Sequence, residues 1–390
     1  MQTDVAFVMM GGGARAAYQV GVLRHIASRY PDLGPAILAG ASAGAINAAH
    51  IASTRGTFSD AVDRSIGIWR QLRIEDVFCV DLAKLVSRSV RWGLGRVAGG
   101  ALRASPRAAS VLDTAPLHHL LTGTLDAAAD GTLAGIDRQL EAGSIRAVAL
   151  TAASYATGRS VTWVQERGGC HLMTRERPRR TTATAPLTVN HVMASAALPV
   201  VFPPVNVDGG WYGDGSVRLT APLSPAIHLG AGHLIAISTC HDRYAGDRAP
   251  IADGAPSADV TGMLLEAIFP DVLDADARNL RRINALVDRL PAYARGSLRH
   301  IDLLVLRPSR DLGSLAGAFE RALPRTLRVL LRAIGGRDGN LGDSLSLLMF
   351  QPEYVAQLIE LGEADARAHA GDIEAFLRPV PLLRLVARAV

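Results

Sequence analysis

The sequence is poor in cysteine, with Cys79, Cys170 and Cys240 spread over 390 residues. Three separated cysteines cannot form a disulfide framework, and because no CxxC pair occurs, the common cysteine-based zinc motifs are excluded as well. This pattern indicates a reducing compartment, and we expect a cytoplasmic protein. We expect no metal and no other cofactor.

No long run of purely apolar residues is present either. The uncharged stretches 34–54 and 187–207 both contain asparagine and histidine, with several glycine, serine or proline residues. Such residues are rare in a membrane-spanning helix, so both stretches are interpreted as buried core with functional loops. A strand-like run begins at Val5, which leaves no room for a signal peptide.

Lysine is almost missing: Lys84 is the only one, although the formal net charge is +5. Arginine in place of lysine is typical of a GC-rich bacterial genome. It also suits a surface that meets phosphate, because the guanidinium fork matches phosphate geometry. We expect no nucleic-acid partner. The hydrophobic fraction of 49% excludes a disordered chain.

Strand-like apolar runs alternate with small-residue turns and helical patterns. The first run, 4–10, and the second, 35–39, are each followed by a turn and a helix. This alternation predicts an α/β fold with a mostly parallel sheet, in one elaborated domain. Further strand-like runs lie at 147–152, 161–165, 234–238 and 301–306.

A glycine turn, Gly11-Gly12-Gly13-Ala14-Arg15-Ala16, follows the first run and opens a helix. It fits the dinucleotide fingerprint G-x-G-x-x-G/A, but that site needs an acid at the end of the second strand, and Asp32 precedes that strand. The turn can instead present backbone N–H groups to an anion, such as the oxyanion of an acyl-transfer intermediate. A purely structural turn is the third alternative.

A G-x-S-x-G motif, Gly40-Ala41-Ser42-Ala43-Gly44, lies between the second predicted strand and a helix. This placement is typical of a nucleophile elbow, which exposes the serine Oγ. The alternative is that Ser42 merely caps the helix. The glycine turn one strand earlier favours the elbow, because the carboxyl ends of neighbouring strands face the same point.

The serine needs a proton acceptor. Histidines that follow an acid later in the chain are candidates, but none lies in a recognisable motif; they are His228, His233, His241, His300 and His369. Two Asp-Gly pairs begin at Asp208 and Asp214. Each is a turn signal, and either aspartate is a candidate base.

Together these segments resemble the patatin-like phospholipase family. The family pattern comprises a G-G-G-x-R/K turn, an early G-x-S-x-G, an A-S-x-x-x-P segment and a D-G-G/A motif. The corresponding segments here are Gly11–Arg15, Gly40–Gly44, Ala194–Pro199 and Asp214-Gly215-Ser216. Asp208-Gly209-Gly210 matches D-G-G literally, but Pro222 and Gly230 stand at the family's distance from Asp214. The resemblance covers nearly the whole chain.

The resemblance implies a three-layer α/β/α hydrolase with a mostly parallel central sheet and added helices. Residues 4–240 would form the catalytic core and 241–390 a mainly helical extension packed on the same domain. It further implies Ser42 as nucleophile, Asp214 as base, and Gly11, Gly12 and Gly13 as the oxyanion hole. Arg15 would orient the turn or bind substrate phosphate, and Ser195 would be structural.

The implied activity is hydrolysis of lipid acyl esters, of phospholipase A or lysophospholipase type. An acyltransferase or general carboxylesterase with the same dyad is one alternative, and a catalytically silent membrane-binding module is another. In segment 81–98, Lys84, Arg88 and Arg91 share one helical face, which can contact an anionic membrane or form a lid. The oligomeric state stays open.

Overall fold

The computed structural model of the protein describes residues 5–79, 112–167, 179–199, 201–241, 272–324, 328 and 341–378. The strands are β1 (Val5–Met9), β2 (Ile37–Ala41), β3 (Ala147–Ser154), β4 (Ser160–Glu166), β5 (Arg180–Thr184), β6 (Val205–Val207), β7 (Gly210–Asp214), β8 (His233–Ile237) and β9 (Asp302–Leu306). The α-helices are α1 (Ala17–Arg29), α2 (Ala43–Ser53), α3 (Phe58–Gln71), α4 (Ile74–Val77), α5 (Ala115–Thr124), α6 (Ala134–Ala142), α7 (Val189–Ser195), α8 (Ser224–His228), α9 (Val272–Arg289), α10 (Leu312–Gly317), α11 (Leu341–Leu348), α12 (Pro352–Ala368) and α13 (Ala370–Leu377). Short 3-10 turns lie at Gly13–Ala16, Gly215–Arg218, Ala292–Ala294 and Glu320–Ala322.

The strands form one sheet in the order β5-β4-β3-β2-β1-β8-β9. Strands β3, β2, β1, β8 and β9 are parallel neighbours, while β3 and β4 are antiparallel. Met9 pairs with Gly40, and Ala41 pairs with Thr151. The carboxyl ends of β1, β2 and β3 therefore lie side by side, where a parallel sheet with flanking helices places its binding site.

Helices cover both faces of the sheet. Along β1, Val5, Phe7 and Met9 belong to one hydrophobic cluster, and Ala6 and Val8 belong to a second. The first cluster includes buried residues of α1, α2, α3 and α12, and the second includes residues of α8 and α9. Side chains alternate across a strand, so a strand that is apolar throughout requires cover on both faces. The predicted three-layer α/β/α architecture is confirmed.

Residues beyond 240 share the sheet and the core with those before it. Strand β9 extends the sheet by pairing in parallel with β8. Helix α12 packs against α1, and its buried Tyr354, Leu358 and Ile359 lie in the same cluster as β1. Residues on the two sides of position 240 are in contact at many points of the sheet and the core. The division of the chain at residue 240 stays a prediction.

Two parts of the sheet differ from the sequence-based expectation. Strand β5 and the β6–β7 hairpin were not predicted, because β5 has the sequence Arg-Thr-Thr-Ala-Thr and the hairpin is short and half-buried. Segment 81–98 lies outside the described residues. Within the described ranges, no helix combines the length and the apolar character needed to cross a bilayer.

Candidate active site

Ser42 occupies a sharp turn between β2 and α2. Its backbone has φ +55° and ψ −133°, a conformation that residues other than glycine rarely adopt. The two flanking glycines allow this turn: a Cβ on Gly40 would lie 2.4 Å from the Gly44 carbonyl oxygen, and one on Gly44 would lie 2.3 Å from the Met9 carbonyl oxygen. Ser42 precedes the helix, but its side chain makes no capping hydrogen bond.

The Ser42 hydroxyl is directed at Asp214 instead. Ser42 Oγ donates a hydrogen bond of 2.5 Å to Asp214 Oδ2, and the two residues are 3% and 0% exposed. The sheet register brings them together, because β7 pairs with the end of β3 so that Asp214 lies opposite Ala152. Thr151, one residue earlier on β3, pairs with Ala41. Two residues 172 positions apart thus meet at one sheet edge.

Burial controls the acidity of Asp214. It raises the pKa of this carboxyl from 3.8 to about 6, while hydrogen bonds from Ser42 and Ser216 oppose the increase. The Ser216 N–H donates to Asp214 Oδ1 at 2.8 Å, at the start of a 3-10 turn. A carboxylate with a pKa near neutrality is suited to accept and return a proton.

The other candidate bases lie elsewhere. Asp208 is exposed in the β6–β7 hairpin, where Asp208 (φ +48°) and Gly209 (φ +81°) form the two-residue turn.

The candidate histidines also lie away from Ser42. Three of them interact with an aspartate: His233 with Asp302, His300 with Asp288, and His369 with Asp372. His241 contacts the Pro308 carbonyl, and His228 ends α8. Among the described residues, His50 is the histidine that lines the cavity containing Ser42.

The glycine turn lies next to Ser42. Gly13 has φ +54° and lines the same cavity as Ser42 and Asp214. The Gly11 carbonyl accepts a hydrogen bond from Thr239 Oγ1, and the Gly12 carbonyl accepts one from the Arg15 N–H. In the described part of the chain, the N–H groups of Gly11, Gly12 and Gly13 donate to no protein acceptor. Gly13 begins the helical turn Gly13–Ala16, and the first N–H groups of such a turn can bind an anion.

Arg15 is buried behind this turn. Its Nε donates a hydrogen bond of 2.5 Å to Ser346 Oγ on α11. Arg15 does not line the cavity formed by the described residues. The two predicted roles of Arg15, orientation of the turn and binding of substrate phosphate, both stay predictions.

Ser195 supports the elbow from the other side. The Ser42 N–H donates to Ser195 Oγ at 3.0 Å, and Ser195 Oγ donates to the Thr151 carbonyl at 2.6 Å. Ser195 is fully buried at the end of α7. It therefore links the serine turn to β3, in line with a structural role.

The cavity that contains Ser42 is almost entirely apolar. Counted out to the solvent at its mouth, its volume is about 840 Å³. Its walls come from α2, α3, α5 and residues 347–350, and include Ile46, Trp69, Leu120, Leu121, Leu347 and Phe350. A pocket lined in this way can hold an aliphatic chain, because its walls offer apolar contacts. In the described residues, no group of three or more His, Cys, Asp or Glu side chains converges as a metal site.

Sequence reasoning missed several polar residues around the site. Asn47 and Gln19 are buried beside the glycine turn, and Ser346 holds Arg15. A signal for Asn47 was present, because an amide in the apolar helix that follows the serine motif must find partners. Ser346 carried no signal, since its partner lies 331 positions away.

The chain was compared with known proteins. No curated protein sequence matches it. Human GIVD cytosolic phospholipase A2, solved with methyl gamma-linolenyl fluorophosphonate, is 13% identical, with a TM-score of 0.48. That match covers 97% of this chain and 59% of the human one, so this chain spans about three fifths of its length. VipD from Legionella pneumophila is 12% identical, with a TM-score of 0.36 and coverage of 92% and 67%.

A comparison with sequence models of protein families assigns the chain to a family. The sequence model described as patatin-like phospholipase matches residues 7–227, which include Gly11–Gly13, Ser42 and Asp214. The match covers more than half of the chain. The protein is a member of the patatin-like phospholipase family.

Proposed function

We propose that the protein hydrolyses lipid acyl esters, as a phospholipase A or lysophospholipase, with Ser42 as nucleophile and Asp214 as general base. The observation that carries the proposal is the 2.5 Å hydrogen bond from Ser42 Oγ to Asp214 Oδ2 at the wall of an apolar cavity. Family membership supports a lipid substrate.

The first half of the reaction forms an acyl-enzyme. Asp214 Oδ2 takes the Ser42 proton while Oγ attacks the ester carbonyl carbon. The carbonyl oxygen becomes an oxyanion, which the N–H groups of the glycine turn stabilise, with Gly13 nearest the cavity. The intermediate then breaks the bond to the leaving alcohol oxygen, and Asp214 returns the proton to that oxygen.

The second half regenerates the enzyme. A water molecule gives a proton to Asp214 and attacks the acyl carbon, and the resulting intermediate releases the fatty acid as Ser42 Oγ regains its proton. An alcohol in place of water would make the same site an acyltransferase. Product analysis with glycerol or lysolipid as acceptor distinguishes the two.

The apolar cavity supports binding of the acyl chain. Burial of each methylene contributes about 0.8 kcal/mol, so a long chain gains substantial binding free energy from these walls. Residues 347–350 form part of the lining, so we propose that 241–390 belongs to the catalytic unit and not to a separate module.

We further propose that the protein contacts membranes peripherally, within a reducing compartment. The net charge of +5 favours anionic surfaces, and the sequence has only three widely separated cysteines, too few for a disulfide framework. Sedimentation with vesicles of anionic and of neutral lipid, at low and high salt, measures this contact.

The test of the catalytic proposal compares Ser42→Ala, Asp214→Asn and Asp208→Asn on a phospholipid, a lysophospholipid and a short-chain ester. We expect the first two variants to lose at least about a thousandfold in kcat and Asp208→Asn to retain wild-type activity. A fluorophosphonate should label the wild-type protein and not Ser42→Ala. Absence of labelling, with no hydrolysis, would identify a silent binding module instead.

A further inference from the structure

A buried amide on α2 connects the serine turn to the glycine turn. Asn47 lies five residues after Ser42 and is 1% exposed. Its Nδ2 donates to the Ala16 carbonyl at 3.1 Å and to Gln19 Oε1 at 2.9 Å, and its Oδ1 accepts from Trp69 Nε1 at 2.9 Å. Both donor hydrogens of this amide and its carbonyl oxygen therefore have partners.

The second amide, Gln19, completes the connection. Gln19 lies on α1 and is fully buried. Its Nε2 donates to the Met10 carbonyl at 2.6 Å and reaches the Ile237 carbonyl on β8 at 3.4 Å. Met10 immediately precedes the glycine turn, and Ala16 is its last residue. The two amides thus hold the backbone at both ends of the turn.

We propose that Asn47 and Gln19 are positioning residues, which fix the N–H groups of the glycine turn relative to Ser42 Oγ. The inference rests on the proposed function, in which those N–H groups bind the oxyanion. Oxyanion donors act only within about 2.7–3.1 Å of the developing charge. A misplacement of about 1 Å can reduce the rate about a hundredfold. Because Ser42 directly precedes the helix that carries Asn47, the amide couples the position of that helix to the glycine turn.

The same network reaches the cavity wall. Trp69 on α3 lines the cavity, and its Nε1–H donates to Asn47 Oδ1. An indole in the wall of the proposed acyl-chain cavity is therefore hydrogen-bonded to the residue that holds the glycine turn. Trp69→Phe removes this hydrogen bond while it keeps an aromatic ring in the wall.

The competing explanation is that the amides only satisfy buried polar groups of the core. The chain provides a matched control in Asn284 on α9, which is 9% exposed. Asn284 Nδ2 donates to the Ile301 carbonyl at 2.7 Å, and Asn284 Oδ1 accepts from the Ile301 N–H at 3.2 Å. Asn284 holds backbone just before β9, and it does not line the cavity that the described residues form. A purely structural amide should behave as Asn284 does.

The experiment compares Asn47→Leu, Gln19→Met, Trp69→Phe and Asn284→Leu with the wild-type protein. Tm, kcat and KM on a soluble short-chain ester are measured, together with the rate of fluorophosphonate labelling of Ser42. We expect Asn47→Leu and Gln19→Met to lower kcat and the labelling rate about tenfold to a hundredfold, with KM within about threefold. Asn284→Leu should lower Tm and leave kcat unchanged. Because both amides hold one turn, the double variant should lose less than the product of the single losses.

The outcomes separate the inference from the function on which it rests. If Ser42→Ala remains active, the proposed function fails. If Ser42→Ala is inactive while both amide variants keep kcat within about twofold, only the positioning role fails. A loss of kcat in Asn284→Leu equal to that in Asn47→Leu also overturns it. Should Asn47→Leu not fold, Trp69→Phe, which removes only one hydrogen bond of the network, carries the same test, and it should lower kcat and the labelling rate in the same direction.

Discussion

Gly13 packs closely against the backbone of Leu347 in the wall of the candidate active site. A Cβ on Gly13 would lie 2.1 Å from the Leu347 carbonyl oxygen, a distance that excludes any side chain at this position. Gly13 also has φ +54°, which glycine adopts without strain. The conformation of the glycine turn therefore depends on its contact with Leu347 as well as on its own sequence.

Gly13→Ala tests this contact. The added methyl group must displace the turn or α11, so we expect kcat to fall about a hundredfold or more, with a lower Tm. The control is Gly123→Ala in α5, where a Cβ would meet no atom within 4 Å. Since alanine is a better helix former, this control should raise stability by about 0.5–1 kcal/mol and preserve activity. Full activity in Gly13→Ala would contradict the assignment of the turn.

The activity should depend on pH through Asp214. Burial raises the pKa of this carboxyl to about 6, and only the ionised form accepts the Ser42 proton. We therefore expect kcat/KM on an uncharged ester to be maximal above pH 7 and to fall tenfold per pH unit well below 6, as one proton binds. The measurement is a pH profile from 4.5 to 8 at constant ionic strength. A profile that stays flat down to pH 5 would refute this assignment.

Asp214→Asn should separate stability from activity. The carboxyl has a raised pKa in the folded state, so the unfolded chain loses this proton at lower pH, and folding stability falls as pH rises from about 4 to 6. Asparagine does not ionise, so the variant does not lose stability in this pH range. Its side-chain carbonyl oxygen can still accept the hydrogen bond from the Ser216 N–H. We expect an inactive variant whose Tm exceeds that of the wild type at pH 7 and approaches it at pH 4.

Thermal unfolding at the two pH values measures the effect. Asp208→Asn serves as the control, because Asp208 is exposed in a hairpin turn. A Tm of Asp214→Asn below that of the wild type at pH 7 would mean that the ionised carboxylate is stabilised by its surroundings.

Chain-length preference should depend on the wall formed by α5. Leu120 is half-buried and lines the cavity, so Leu120→Trp fills part of it. We expect kcat/KM for a long-chain ester to fall about tenfold or more relative to a butyrate ester, since each methylene excluded costs on the order of 1 kcal/mol. His119→Trp adds the same ring to an exposed position of the same helix and should change neither value. Equal effects of both variants would argue against an acyl-binding wall.

The central strands were predictable because burial on both faces leaves long apolar runs. Strands β1, β2 and β8 contain no Asp, Glu, Lys or Arg, and β1 and β2 lead into the two glycine-containing motifs. Strand β5 was not predictable from composition, since its arginine and threonines resemble a polar loop. Its strand conformation comes from parallel pairing with β4, which is a tertiary contact.

The candidate site was predictable only in part, because some of its residues come together through tertiary contacts that no local motif encodes. Ser42 and the glycine turn are local motifs, whereas Asp214 was chosen over Asp208 through a family resemblance. The hairpin register explains why the two Asp-Gly pairs differ: Asp208 forms the turn, while Asp214 ends β7 opposite Ala152. The amide network of Asn47 and Gln19 depends on how three helices pack, which no short segment encodes.

The hydrogen bond from Arg15 to Ser346 spans 331 positions. During synthesis the glycine turn is therefore translated long before the serine that supports it. Long-range closure of this kind is slow compared with the formation of local helices. A chain that has not yet reached α11 lacks this partner of Arg15, and we expect the proposed hydrolytic activity to begin only when α11 has docked.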